Sequence, residues 1–597
     1  MIDNDNRALQ DFLQGTSCTA QEYFGVHEQN EGFVFRTYAP RASQVMLTGD
    51  FNGWRDDIFL NRIDPSGVWE VKLPFGRVNY GDRYKYRIYG CGQLHYKSDP
   101  FARSLSQSPD NSSVVCENEK YSWKDHGWLK YRKTYQKNIS TRPINIYEVH
   151  LGSWKKRGKS GYFNYRDYAK ELAPYAKQMG YTHVCLLPMN EHSDDGNAGY
   201  LPNAFFAPTS RYGSPDDLKA FVDKLHEAGL GVIFDIPIAF FPRERYSIFE
   251  FDGAPLYECD CGRAHCHFNF SKNETKSFIM SSVMHWINEY HADAIRFSDV
   301  DRLIDSYTSS DDRRCNAKGF LQKLLRFIKK SNPDVLLIAD KGNKSLGFDL
   351  TFNSSWGENL IRYSSINFEK RGRNHHLLTD MLGCNTATVS LSHKVHDGDL
   401  NMLIEESAGD YWQKFAGARA LLGLTVAMRG KKLCFMGNEI AQFRKWDSKR
   451  ETEWFLLEYE SHEKFQRYVA ELNNFYLAHS ALWQKDASPE SFCFIDRDGF
   501  EQNVIVFRRS SKDEELLVVV NLTPTAYEQY RIGAQGEGAF CELFNSDDIN
   551  FYGSGVINRL PIATENIEYH GYKNSFSMRV PPLAISILGF KPNKKKK

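Results

Sequence analysis

The sequence predicts an α/β fold: a (β/α)8 barrel flanked by an N-terminal β-sandwich and a C-terminal antiparallel β-sandwich. Three observations predict it. Between Ile144 and about His479, eight short apolar runs alternate with helical periods. From about Phe33 to Ile88, short alternating stretches are punctuated by Gly, Pro and Asn, and after about Pro489 the chain returns to short strands. A chain of 597 residues is also too long for one hydrophobic core and should divide into about three domains.

Taken in order, residues 1–20 form a polar N-terminal segment, "MIDNDNRALQDFLQGTSC" onward, with neither the basic start nor the apolar stretch of a secretory signal. Residues 21–120 hold the first sandwich, read from "FVFRTYAP", "QVMLTGDF", "VWEVKLP" and "YKYRIYG". The segment "YSWKDHGWLKYRKTYQKNISTRP" lacks periodicity and is expected to be a linker. Residues 121–488 carry the barrel, with candidate strands "INIYEVHLG", "THVCLLP", "GVIFDIPI", "ADAIRFSDV", "VLLIAD", "FDLTFN", "TATVSLSH" and "KKLCFMGNE". One intervening helix should start at Ser214, a capping residue followed by Pro215 at the first helical position, with Leu218, Phe221, Val222 and Leu225 on one face. The next should bury Ile279, Val283, Trp286, Ile287 and Tyr290. Residues 489–597, including "NVIVFRRS" and "ELLVVVNLT", form the closing sandwich.

Lysine plus arginine equal aspartate plus glutamate at 75 each, so no global field steers the chain toward nucleic acid or an anionic membrane. No transmembrane run is present, and a cytoplasmic location is expected. Twelve cysteines, most of them inside apolar runs such as those of Cys185 and Cys434, read as reduced core residues. In "ECDCGRAHCHF", Cys259, Cys261, Cys266, His265 and His267 lie close enough to offer ligands to zinc, but the spacing fits no common zinc motif. The expectation is a loop of reduced thiols, with no metal and no cofactor.

A barrel of this kind places its site at the carboxyl ends of the strands. The third candidate strand ends near Asp235, the fourth near Arg296 and Ser298, the fifth at Asp340, and the seventh at His393 and Lys394. Any one of these could simply cap a helix or satisfy a loop carbonyl. Four strands with polar residues at corresponding depths point instead to one pocket.

Long stretches of the chain, from the "GDFNGW" sandwich to the C-terminal sandwich, resemble the 1,4-α-glucan (glycogen) branching enzyme family of the α-amylase superfamily. They are "EVHLGSW", "FFAPTSRYGSPDDLKAFVDKLHEAGLGVIFD", "GDYWQKFAGARALLG" and "KKLCFMGNEIAQFRKWDSKRETEWFLLEYE". The resemblance implies a carbohydrate-binding-module-like first sandwich and a retaining mechanism, in which one carboxylate attacks the anomeric carbon and a glutamic acid protonates the leaving oxygen. A second aspartate there stabilises the transition state.

Carried over position by position, the family's nucleophile falls on Ser298 in "RFS", its acid on Asp340 in "ADK", and its stabilising aspartate on Lys394 in "SHKV". The three together sum to about zero charge where an oxocarbenium-like ion needs negative charge, and losing a nucleophile alone costs roughly 10⁴ to 10⁶ in rate. Tyr200, Asp235, Arg296 and His393 match the family and could still hold a sugar, whereas Phe240 and Leu201 depart from it. Asp299 stands one step beyond Ser298, so in a regular strand it faces away from the pocket and only a local bulge would bring it back.

The reading expected is a glycogen branching enzyme-like protein of α-glucan metabolism that has lost catalysis and binds α-glucan or a partner, such as an active branching-enzyme paralogue. The alternative is an active 1,4-α-glucan branching enzyme, forming α-1,6 branches through a rearranged carboxylate such as Asp299. A third reading, a subunit of a membrane transporter, lacks the transmembrane helix it would need.

Overall fold

In the computed structural model, eight parallel strands close into a barrel in chain order. They are β1 (Asn145–Val149), β2 (His183–Leu186), β3 (Gly231–Pro237), β4 (Ala294–Ser298), β5 (Leu336–Ala339), β6 (Leu350–Asn353), β7 (Thr388–Leu391) and β8 (Lys431–Phe435). Each falls inside one of the eight apolar runs of the sequence. The structure describes residues 2–593 except 118–120, 137–138, 159–160, 262–264, 306–315, 341–345, 375–376, 379–380, 383–387, 397 and 497–501.

All seven residues of β3 and all five of β4 are buried, as expected for strands covered on both faces. Their parallel register pairs Asp235 with Arg296 and Pro237 with Ser298, and β4 pairs Phe297 with Ala339 of β5. Side chains alternate along a strand, so Asp235, Arg296 and Ser298 lie on one face.

The helix Pro215–Glu227 begins as its sequence predicts: the Ser214 side chain accepts from the Asp217 amide, and the Asp217 carboxylate accepts from the Ser214 amide in return. Leu218, Phe221, Val222 and Leu225 are all buried. The helix Asn273–Glu289 buries Ile279, Val283, Trp286 and Ile287, and Tyr290 follows its last turn, also buried.

Two segments to which the sequence assigned no element contain helices. The polar N-terminal segment is a helix, Ile2–Leu13, whose Leu9 and Phe12 are buried and whose last turn receives the Ser277 hydroxyl at the Phe12 carbonyl, 2.9 Å away. The Phe12 ring packs edge-on against Phe24 and Tyr38. The expected linker contains a helix, His126–Gln136. It is ordered by polar anchors that hydrophobic periodicity does not register: Trp128 Nε1 donates to Asp293 at 2.9 Å, and Arg132 Nε donates to Asp334 at 2.8 Å.

Residues 1–133, 150–173 and 185–350 form one compact unit, and 134–149, 174–184 and 351–597 a second. The first contains β3 to β5 and the N-terminal strands, which form a four-stranded sheet and a second sheet built on Ala42–Gly49 and Arg83–Gly90. The second contains β1, β7, β8 and the C-terminal sandwich. There a six-stranded antiparallel sheet and the pair Tyr527–Ala534 with Asn574–Val580 enclose Val504, Val506, Leu517, Val519, Ile532, Phe576 and Met578. Among the described residues, no helix is long and apolar enough to cross a membrane.

Candidate active site

In the first unit, Asp235 is the centre of a buried polar cluster at the carboxyl ends of β3 and β4. Its side chain is fully buried. Tyr200 donates its hydroxyl to Oδ2 at 2.5 Å, Arg296 Nη1 lies 3.4 Å from the same oxygen, and Ser298 donates its hydroxyl to Oδ1. The register explains the meeting: Arg296 is directly opposite Asp235, and Ser298 is the next residue on that face. The buried Arg296 guanidinium faces the buried carboxylate, pairing one positive with one negative charge.

Asp340, expected in the same pocket, meets the backbone just beyond Ser298. Its carboxylate accepts from the backbone amide of Asp299 at 2.8 Å and of Val300 at 3.4 Å, at the start of the short helix Val300–Asp305. That is the work of a helix cap. Asp299 itself has φ of +54°, a left-handed conformation uncommon outside glycine, and its residue is half-buried where Ser298 is fully buried. The chain therefore leaves the strand at Ser298, and strand alternation does not decide where Asp299 points.

In the second unit, the end of β7 is tied to β1 through Glu148. This fully buried carboxylate accepts from the His393 amide at 2.7 Å, from His393 Nδ1 at 2.8 Å and from the Ser392 hydroxyl at 3.2 Å. Lys394 is half-buried in the single turn His393–His396, and its amide donates to the Ser392 hydroxyl at 3.4 Å. Glu148 was not singled out in the sequence, although a glutamate inside the otherwise apolar run "INIYEVHLG" is a usable signal, since a buried carboxylate needs partners.

The region after β3 corrects the reading of the cysteines. Phe240–Pro242, His265–Phe268 and Glu258–Cys261 form a three-stranded sheet, and the Phe240 ring lies edge-on to His265 and His267, with centroids 4.8 Å apart in each case. Cys266 is disulfide-bonded, not reduced. The residue opposite it across the hairpin is Cys261, whose side chain lies outside those described. A disulfide sulfur is not a thiolate, so Cys266 is removed from any zinc ligand set. Among the described residues, no group of three or more His, Cys, Asp or Glu side chains is placed to hold a metal.

Residues 23–102 match the family described as carbohydrate-binding module 48 (isoamylase N-terminal domain), and residues 494–591 match the α-amylase C-terminal all-beta domain. Over 95% of its length the chain is 35% identical to the 1,4-alpha-glucan branching enzyme GlgB of Desulfitobacterium hafniense, covering 94% of that protein. It is 37% identical to the GlgB of Aquifex aeolicus, with 97% of each chain aligned. The chain belongs to the 1,4-α-glucan branching enzyme family. Solved structures agree on the fold of this branching-enzyme family member. A pullulanase from an Anoxybacillus species, complexed with maltotetraose, superposes with a TM-score of 0.70 at 16% identity over 95% of this chain and 87% of its own. A pullulanase from Paenibacillus barengoltzii, in complex with maltohexaose and α-cyclodextrin, gives 0.69 at 17% identity over 96% and 95%.

Proposed function

We propose that this branching-enzyme family member binds α-glucan at the carboxyl ends of its barrel strands without building branches. The observation that carries the reading is Ser298, whose hydroxyl is buried and committed to Asp235. On the family pattern Ser298 occupies the nucleophile position, and a hydroxyl held by a carboxylate has no anionic oxygen to offer an anomeric carbon. Asp340, at the acid position, is one methylene shorter than a glutamic acid, and its carboxylate accepts from two backbone amides. Lys394 brings a positive charge to the position of the stabilising aspartate. Tyr200, Asp235 and Arg296 remain a coherent hydrogen-bonding cluster for sugar hydroxyls, and relatives of the fold were solved with maltooligosaccharides.

Affinity electrophoresis through a glycogen gel, run beside iodine staining of amylose incubated with the protein, tests the reading. Retardation without any change in the iodine spectrum is the expected result. A shifted spectrum refutes loss of catalysis.

A second reading is favoured by one specific feature. The left-handed turn at Asp299 places a half-buried carboxylate immediately beyond the nucleophile position. In that reading the protein is an active branching enzyme using Asp299, and Asp299→Asn abolishes an activity that Ser298→Ala leaves unchanged.

A further inference from the structure

The three-stranded sheet after β3 carries a disulfide-bonded cysteine at its centre. Phe240, which opens the edge strand Phe240–Pro242, follows Asp235 by five residues and so lies at most about 18 Å from it along the chain. The middle strand, His265–Phe268, pairs Phe240 with His267, Phe241 with Cys266 and Pro242 with His265, and on its other side pairs Cys266 with Cys261 and Phe268 with Glu258. His265 and His267 share one face of that strand, where both rings pack against the Phe240 ring, and Cys266 is on the other face, fully buried. Phe240 is therefore held near the Asp235 end of β3 by a strand whose centre is cross-linked.

Three features set this cross-link apart from a purely structural one. Among the described residues eight cysteines are in the thiol form, including exposed Cys91 and half-buried Cys259. A disulfide that stands among so many thiols belongs with the transient, redox-sensing kind rather than with the frameworks of secreted domains. One of those thiols is in the same hairpin: a bulge between Glu258 and Asp260 brings the Cys259 sulfur to the carbonyls of His267 and Phe268, at 3.8 and 3.6 Å. The strands are also short, three and four residues, so few ladder bonds hold them and the cross-link carries much of their order.

We propose that Cys266 belongs to a reversible disulfide that sets the α-glucan affinity of the neighbouring strand ends. Formed, the bond fixes the hairpin and the Phe240 ring, so the sugar meets an ordered wall; broken, it lets the strand His265–Phe268 loosen, and binding must order it again. Because Cys266 is fully buried, a dithiol reductant attacks the sulfur bonded to it rather than Cys266 itself. The S–S bond breaks, Cys266 leaves as a thiolate and takes a proton, and the second thiol of the reductant resolves the mixed disulfide. Two electrons and two protons pass to the protein, which gains two thiols, and the dithiol becomes a disulfide. The link to α-glucan rests on the reading given under the proposed function; the redox-dependent order of the hairpin rests on the hairpin alone.

The whole chain is treated with oxidised glutathione or with dithiothreitol, the reagent is removed, and a sample of each form is alkylated under denaturing conditions and mapped by mass spectrometry. Native hydrogen exchange and calorimetric titration with maltohexaose follow on both forms, on Cys266→Ser and on Cys259→Ser. Cys266 is expected in an internal disulfide in the oxidised form and alkylated in the reduced one. After reduction the amides of 240–241 and 265–268 should exchange at least tenfold faster, and maltohexaose should bind at least threefold more weakly. Cys266→Ser, checked for an unchanged unfolding transition, should match the reduced form under both treatments, and Cys259→Ser should respond like the parent. Cys266 still alkylated after oxidation overturns the proposal, as does exchange or affinity that is equal in the two forms of a parent that binds. If neither form binds maltohexaose, the strand-end reading falls and exchange alone judges the hairpin: a redox-dependent rate keeps the redox link, and equal rates overturn it.

Discussion

Replacing Ser298 with aspartate restores the family's residue at the nucleophile position, and the structure predicts that it does so at a cost and without activity. Ser298 and Asp235 are both fully buried and hydrogen-bonded to one another. Aspartate at 298 would set a second carboxylate against the first. Two like charges about 4 Å apart at an effective dielectric near 20 repel by about 4 kcal/mol, and the lost hydroxyl-to-carboxylate hydrogen bond adds about 1.5 kcal/mol. Arg296, 3.4 Å from Asp235, can serve both acids and offset part of this, leaving a net loss of about 3 kcal/mol at pH 7. One acid of the pair should then titrate above the ordinary carboxylate value, because two like charges cannot share the site. The sign follows: an acid whose folded pKa is raised destabilises the native state above that pKa, so the penalty should be full near pH 7 and vanish as pH falls below about 4. Urea denaturation of parent and variant between pH 4 and 8, with iodine staining of amylose in parallel, measures both halves. A variant as stable as the parent at pH 7, or one that branches amylose at a rate typical of the family, would refute the reasoning.

The triple change Ser298→Asp, Asp340→Glu and Lys394→Asp should come closer to branching than any single repair, because three roles that act together are grossly non-additive; equal activity in the single Ser298→Asp variant counts against this. Asp340→Ala should lower stability by about 1 kcal/mol and Asp340→Asn by a few tenths, since asparagine still caps the Asp299 and Val300 amides, and equal losses in thermal denaturation would exclude the capping role. Burial would raise the Asp293 carboxyl, but His226 and then Arg132 and the Val232 amide bring it from 3.8 down to about 2, a contribution of about 2 kcal/mol that holds above pH 4 and is lost as pH falls through about 2. Burial would depress His226, yet Asp293 and Asp125 raise it, so its contribution holds below about pH 6.5 and is lost as pH rises through its higher folded value. Asp293→Asn should flatten both limbs of the stability profile measured from pH 3 to 9; an unchanged profile would show that the network is not coupled to folding.

The barrel was legible because its signals are local. Eight apolar runs, a Ser-Pro helix start and the stripe Leu218, Phe221, Val222, Leu225 depend on spacing alone, and all appear as expected. The helices Ile2–Leu13 and His126–Gln136 were not legible, because what orders them is remote in sequence. Ser277 meets Phe12, and Asp293 meets Trp128, across 265 and 165 residues. The disulfide state of Cys266 escaped for a related reason: which residues a strand sets beside a cysteine is a property of register, while the location inferred from composition favoured thiols.

By itself the sequence determined the barrel, its flanking sandwiches and the residue types at the strand ends, since patterning and chemical identity are written one position at a time. It could not determine what those residues hold. That Ser298 donates its hydroxyl hydrogen bond to Asp235, that Asp340 accepts from the amides of Asp299 and Val300, and that Glu148 grips His393 were decided only by folding. The physical reason is that a buried polar group must find a partner, and which partner lies within about 3 Å is set by the register of neighbouring strands and the path of the chain leaving them.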